Sequence, residues 1–99
     1  MVYINEPLRP PEAKKLIRII LSEGTVFYAQ PHALDRLRKW KLTAVDCENV
    51  LHAGAVQEPE FENGEWRYQV ITGKITVVIQ FLSDLELLVV TAWRIGERK

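Results

Sequence analysis

His32 and Arg36 stand four residues apart in the stretch PHALDRLRKW, so on a helix they project from one face. Proline at 31 suits a helix start, which places His32 at the positive end of the helix macrodipole. That end favours a neutral imidazole, the form needed to accept a proton. Arg36 adds a planar, permanently charged fork that matches the oxygens of an anion. Arg94 stands near the end of the strand LLVVTAWR, a weaker signal, and Arg67 sits inside the otherwise apolar or aromatic strand EWRYQV. An arginine there lies at an edge, is paired, or faces a groove. Proton transfer beside a bound anion is the chemistry these types support. The alternative for His32 and Arg36 is an ordinary solvated helix face.

The elements that must position them follow from periodicity. Ala13, Leu16, Ile17, Ile20 and Leu21 recur at helical spacing after Pro10 and Pro11, and Gly24 ends that first helix. TVFYA reads as a short strand, with a place at a sheet edge. A second helix runs from Pro31 to about Lys41, with Ala33, Leu34, Leu37 and Trp40 inward. Thr43 and Asp46 have capping-box spacing for a third, which Gly54 stops. Beyond it the period changes to two. The Asn63-Gly64 pair marks a hairpin, and WRYQVI, ITVVIQFL and LLVVTAWRI follow as strands joined by short turns. Short connections make sequential strands antiparallel neighbours. The expected class is α+β, with N-terminal helices packed on a curved antiparallel sheet of four to five strands. The expected organisation is one domain over 1–99: a loose arm over 1–9, a mainly helical part over 10–54 and a strand meander over 55–95.

Composition bounds the rest. The 99 residues are 47% hydrophobic and 26% charged, with a formal net charge of zero. That is ordinary for one globular domain and argues against disorder. Charge is uneven along the chain. Residues 32–41 carry four basic groups against one acid, whereas 42–65 carry six acids and no Lys or Arg. A basic patch can therefore exist at neutral net charge. The apolar runs are too short to span a membrane, and no signal peptide is evident at the N-terminus. A single cysteine, Cys47, forms no internal disulfide, and with two distant histidines it makes no metal cluster. A cytoplasmic location is expected. Cys47 has no neighbour in sequence that would activate it as a nucleophile. The acids of 58–65 look solvated around their hairpin. A helix-turn-helix over 32–54 is disfavoured, because its would-be recognition helix carries Asp46 and Glu48 and no basic residue.

PHALDRLRKWKL, VLHAGAV, WRYQV, ITVVIQF and LLVVTAWR together resemble a small bacterial family of unknown function. Its features are H-A-x-x-R, a glycine after the third helix, an R-Y strand and a closing V-T-x-aromatic strand. That family in turn resembles the messenger-RNA-cleaving, RelE-like toxins of type II toxin–antitoxin systems. In order of elements it is nearest to the motility quorum-sensing regulator type, whose helix–strand opening is similar to AKKLIRIILSEGTVFYA. The resemblance covers about residues 12–94. It implies a RelE-like fold, a metal-independent endoribonuclease without a cofactor, RNA as substrate and a cognate antitoxin protein as partner. It implies catalytic roles for His32, Arg36, Arg67 and Arg94. Thr76 stands where the related toxin has a tyrosine. Such chemistry needs a base for the 2′-OH, cations for the phosphate and an acid for the leaving oxygen. Arg38, Lys41, Lys74 and Gln80 are the expected RNA contacts, and Trp40 or Trp93 a base-stacking platform if exposed. A non-catalytic module of the same shape, docking an acidic protein segment or a nucleic acid, is the alternative function.

Overall fold

The computed structural model describes residues 4–95; residues 1–3 of the expected arm lie outside it. Pro10–Glu23 forms α1, which buries Ala13, Ile17 and Ile20 completely. The Gly24 N–H closes it on the Ile20 carbonyl at 2.7 Å. Thr25–Tyr28 is β1, and His32–Trp40 is α2. Lys41 ends α2 in the left-handed region, φ 56°, while the Leu42 N–H reaches back to the Leu37 carbonyl at 2.8 Å. That closure pattern usually falls to glycine. Ala44–Ala53 is α3, opened by the expected box: the Asp46 N–H donates to Thr43 Oγ1, and the Thr43 N–H to Asp46 Oδ2.

Five strands follow: β2 (Ala55–Val56), β3 (Glu60–Glu62), β4 (Glu65–Ile71), β5 (Ile75–Ser83) and β6 (Glu86–Arg94). The sheet runs in the order β1-β6-β5-β4-β2, with β3 also pairing β4. The β4–β5–β6 meander is antiparallel, and β1 lies parallel to β6 at the edge. The α+β class expected from the sequence holds, with the three helices of the described residues packed on the sheet. Among the described residues the strand number rises to six, because two short segments both dock on β4.

Alternation sorts the side chains. Tyr68, Val70, Val77, Ile79, Leu87 and Val89 face the helices and are fully buried against Ile17, Ile20 and Leu51. The intervening residues of the strands, including Arg67, Gln69 and Gln80, point to the opposite face. One irregularity alters this. Val78 pairs with Thr91 but Ile79 pairs with Val89, so Val90 is an inserted residue, a β-bulge. Beyond it the facing of β6 inverts.

Two ties cross the fold. The Tyr68 hydroxyl accepts the Leu8 N–H and donates to the Glu6 carboxylate, both at 3.0 Å, which holds residues 6–8 against the sheet. Lys14 of α1 donates to three carbonyls at the end of α3: Leu51 at 3.0 Å, His52 at 2.8 Å and Gly54 at 2.6 Å. An ammonium belongs there, where the helix dipole is negative and the carbonyls are otherwise unpaired. Burial, then the neighbouring Arg18, holds the Lys14 ammonium below the usual lysine range. Lys14→Met keeps the stem and removes all three donors. It is expected to lower stability by about 2 kcal/mol in denaturant titration; an unchanged midpoint would show that water replaces the ammonium freely. Among the described residues no helix is long and apolar enough to cross a membrane.

Candidate active site

Arg67 is placed by β4. Because Tyr68 and Val70 turn inward, Arg67 must turn outward, and its side chain keeps 23% of its surface exposed. Its Nη1 lies 3.4 Å from Glu62 Oε1 across the hairpin, and its Nε is buried with no acceptor among the described residues. Gln80 of β5 stands on the same face, half-buried. His32 and Arg36, on the first two turns of α2, are exposed and form the side wall. Together with Asn63, Leu88 and Thr91, these four line one cleft of about 430 Å³. The cleft is built from α2, β4, β5 and β6.

That cleft does not stand alone. Arg67 and Thr91 also line a neighbouring hollow of about 480 Å³, whose far wall is Glu58, Glu60 and Glu62 and whose floor includes Gln69 and Trp93. A third hollow, about 320 Å³, joins Arg36 and Trp40 to Thr91 and Trp93. Thr91 lines all three, so they lie side by side along one face of the sheet. The electrostatics of that face are two-sided: His32 and Arg36 on one wall, three carboxylates on the other, Arg67 between them.

Arg94 is not in this groove. Its Nε donates to the Trp40 carbonyl at 2.9 Å and its Nη2 to the Lys41 carbonyl at 3.2 Å, so it caps the C-terminal end of α2. The bulge at Val90 is the physical reason. Uninterrupted alternation from Leu88, which pairs Gln80, would have put Arg94 on the groove face. One inserted residue turns Arg94 away and brings Trp93 over Thr76 instead. Trp93 is half-buried and lines the groove, while Thr76 is buried beside it.

The other expected RNA contacts are dispersed. Arg38 is exposed on α2 and pairs with Asp35 at 3.3 Å. Lys41 holds the left-handed turn after α2. Lys74 lies at the β4–β5 turn beside Asp46 and Asn49 of α3, in a separate shallow hollow. Of that set only Gln80 joins His32, Arg36 and Arg67. Trp40 packs partly on the core, with Lys39 Nζ 5.6 Å from its ring centre.

The carboxylates were missed as part of the site, although the signal was present. A two-residue Asn-Gly loop dictates the hairpin register. Asn63 and Gly64 take φ values of 52° and 81°, and Glu62 then faces Glu65 while Glu60 faces Arg67.

Cys47 is fully buried, and its thiol is pushed up to about 11, first by burial and then by Asp46 and Glu48. It is no nucleophile at neutral pH. A thiol whose ionisation is delayed in the folded state stabilises the fold fully below its unfolded value, near 9.0. That contribution is lost as pH rises through about 11. Denaturant unfolding at stepped alkaline pH should therefore show falling stability. Cys47→Ala should flatten that part of the curve, and an unflattened curve would locate the effect in Tyr28 and Tyr68, both raised to about 12 by burial.

Among the described residues no group of three His, Cys, Asp or Glu is arranged to hold a metal ion. Comparison with protein-family profiles, with curated proteins and with solved structures finds no match to this chain.

Proposed function

We propose that this chain is a metal-independent endoribonuclease of the bacterial toxin type, acting on messenger RNA in the cytoplasm and held in check by a cognate antitoxin protein. The observation that carries the reading is the convergence of His32, Arg36, Arg67 and Gln80 on one cleft from three separate elements. The sequence resemblance points the same way. Arg67 and Arg36 supply forked donors for the oxygens of a phosphodiester, which gains charge as the 2′-oxygen attacks phosphorus. His32 supplies a group able to move a proton at the rim. Gln80 supplies a neutral donor and acceptor for a base or ribose edge, and Trp93 on the groove floor offers a ring for stacking.

The test is cleavage of RNA by the purified chain, alone and with translating ribosomes, together with growth on induced expression. Cleavage should persist in EDTA, expression should arrest growth, and His32→Ala should relieve both. Intact RNA under every condition rejects the nuclease. Strong inhibition by EDTA rejects the metal-independent mechanism. A pure binding module would instead lose affinity for RNA or an acidic peptide in the same variants and never yield a cleavage product.

A further inference from the structure

An open sheet has two edges, and the two edges of this one differ. At one end lie β2, two residues long, and β3, whose Glu60 and Glu62 put charge on the edge. Short length and charge are the usual devices that keep a sheet edge from pairing with another chain. At the other end lies β1, which pairs β6 in unbroken register and has no charged residue or proline from Thr25 to Ala29.

The backbone of β1 is only half used. The Thr25 N–H donates to the Leu85 carbonyl and the Ala29 N–H to the Val89 carbonyl, both at 2.9 Å. Residues 25, 27 and 29 therefore turn their amide groups toward β6, and alternation turns those of Val26 and Tyr28 away from it. No second strand pairs β1 on that side among the described residues. The side chains are incompletely covered as well. Phe27 is 43% exposed, on the cleft face beside its partner Leu88, and Val26 and Tyr28 are half-buried on the helix face.

We infer that β1 is a homodimerisation edge, on which the β1 strands of two copies of this chain pair antiparallel about a two-fold axis at Phe27. The edge is complementary to itself. With Phe27 opposite its own counterpart, Val26 stands opposite Tyr28 of the second copy, and Tyr28 opposite Val26. These are hydrogen-bonded pairs, so the outward N–H groups of each copy meet the outward carbonyls of the other and none is left over. The two phenylalanines form the non-hydrogen-bonded pair, where side chains lie closest. Each flanking pair sets a β-branched residue beside an aromatic ring, and both kinds of cross-strand pair are favourable. No like charges meet. An unrelated strand could match the backbone; matching the side chains too is a property of this segment set against itself. The pairing cannot run on beyond the strand, because the Gly24 N–H is committed to the Ile20 carbonyl and Pro31 has no N–H.

The axis stands perpendicular to the joined sheet, so the clefts of both copies open on the same side of it. The pairing is independent of what those clefts bind. Four residues a side is less than a standard interface, so the dimer is weak and concentration-dependent.

Sedimentation of the full chain from about 1 µM to about 1 mM, the span of weak affinities, should show monomer passing to dimer. Over that range the Val26 and Tyr28 amides should exchange hydrogen more slowly, about tenfold when nine-tenths of the chain is dimeric. The Thr25 and Ala29 amides, already bonded to β6, should not change. Phe27→Cys brings two thiols together at a Cα separation of ~4.5 Å, within reach of a disulfide, so mild oxidation should yield a covalent dimer. Cys47 is buried and should not compete. Phe61→Cys, exposed on the β3 edge, should stay monomeric. Phe27→Lys sets two ammonium groups face to face and should abolish the dimer with little change in melting temperature.

A chain that stays monomeric throughout, with Val26 and Tyr28 exchange unchanged, overturns the inference and leaves the edge to a strand of some other protein. A dimer that survives Phe27→Lys, or that cross-links through Phe61→Cys and not through Phe27→Cys, places the interface elsewhere and overturns it too. Should Phe27→Lys fail to fold, the exchange of the wild-type amides and the cross-linking decide.

Discussion

Arg67→Ala is expected to lower RNA cleavage by ~100- to 1,000-fold, the usual effect of deleting one preorganised donor from a developing oxyanion. Arg67 is three-quarters removed from water, so its charge is less screened than that of Arg36 or Arg38. It is also fixed on a strand of the meander and held by Glu62, so little reorganisation is needed when charge develops. Lysine cannot substitute for the fork, and Arg67→Lys should recover only part of the activity. The fold should survive the change. A partly exposed ion pair contributes within about 1 kcal/mol, so the melting temperature should move little. Arg94→Ala should show the reverse pattern. It removes two hydrogen bonds to the carbonyls of Trp40 and Lys41 and is expected to reduce stability by about 1 kcal/mol, with a small effect on cleavage. Parallel rate and melting measurements on the two variants decide it. Equal losses of rate would place Arg94 back in the chemistry, and an Arg67→Ala chain cleaving at the wild-type rate would reject the site.

The difference between these two arginines shows where sequence reading stops. Helix starts, caps and strand alternation are local, and they are legible in Pro10, Thr43, Asp46 and the period-two pattern of β4 and β5. The facing of Arg67 followed from its two neighbours alone. Arg94 did not yield to the same logic, because the bulge at Val90 depends on how β6 fits against β5 and α2, not on any residue near Arg94. The parallel pairing of β1 with β6 joins segments some sixty residues apart, from Thr25 with Glu86 to Tyr28 with Val89, and nothing in either segment announces it. Lys14 is one of two adjacent lysines on α1, and only the approach of α3 gives it three acceptors. The acids of β3 lie between these extremes. Their composition suggested a solvated hairpin, yet the Asn63-Gly64 turn already specified that Glu60 would face Arg67.

Gly24→Ala should destabilise the chain by about 3 kcal/mol, at the upper end of the range for overpacking, because the methyl has nowhere to go. A Cβ at this position would overlap the Leu85 carbonyl oxygen, part of the backbone and unable to swing aside. The same carbonyl accepts the Thr25 N–H at 2.9 Å, the bond that starts the β1–β6 pairing. At the other end of β1, the Ala29 N–H donates to the Val89 carbonyl at 2.9 Å just before α2 begins. The position of β1 thus sets the position of α2, and with it His32 and Arg36. Pushing the start of β1 off Leu85 should widen the groove as well as weaken the fold, so the folded fraction of Gly24→Ala should cleave RNA more slowly than wild type. Gly73→Ala is the matched comparison. A Cβ there meets nothing within 4 Å, so that change should leave stability unaltered or raise it by about 0.5 kcal/mol through the unfolded chain. Equal melting temperatures for the two variants would mean that the β1–β6 contact yields cheaply, and that α2 is held over the groove by its own packing and by Arg94.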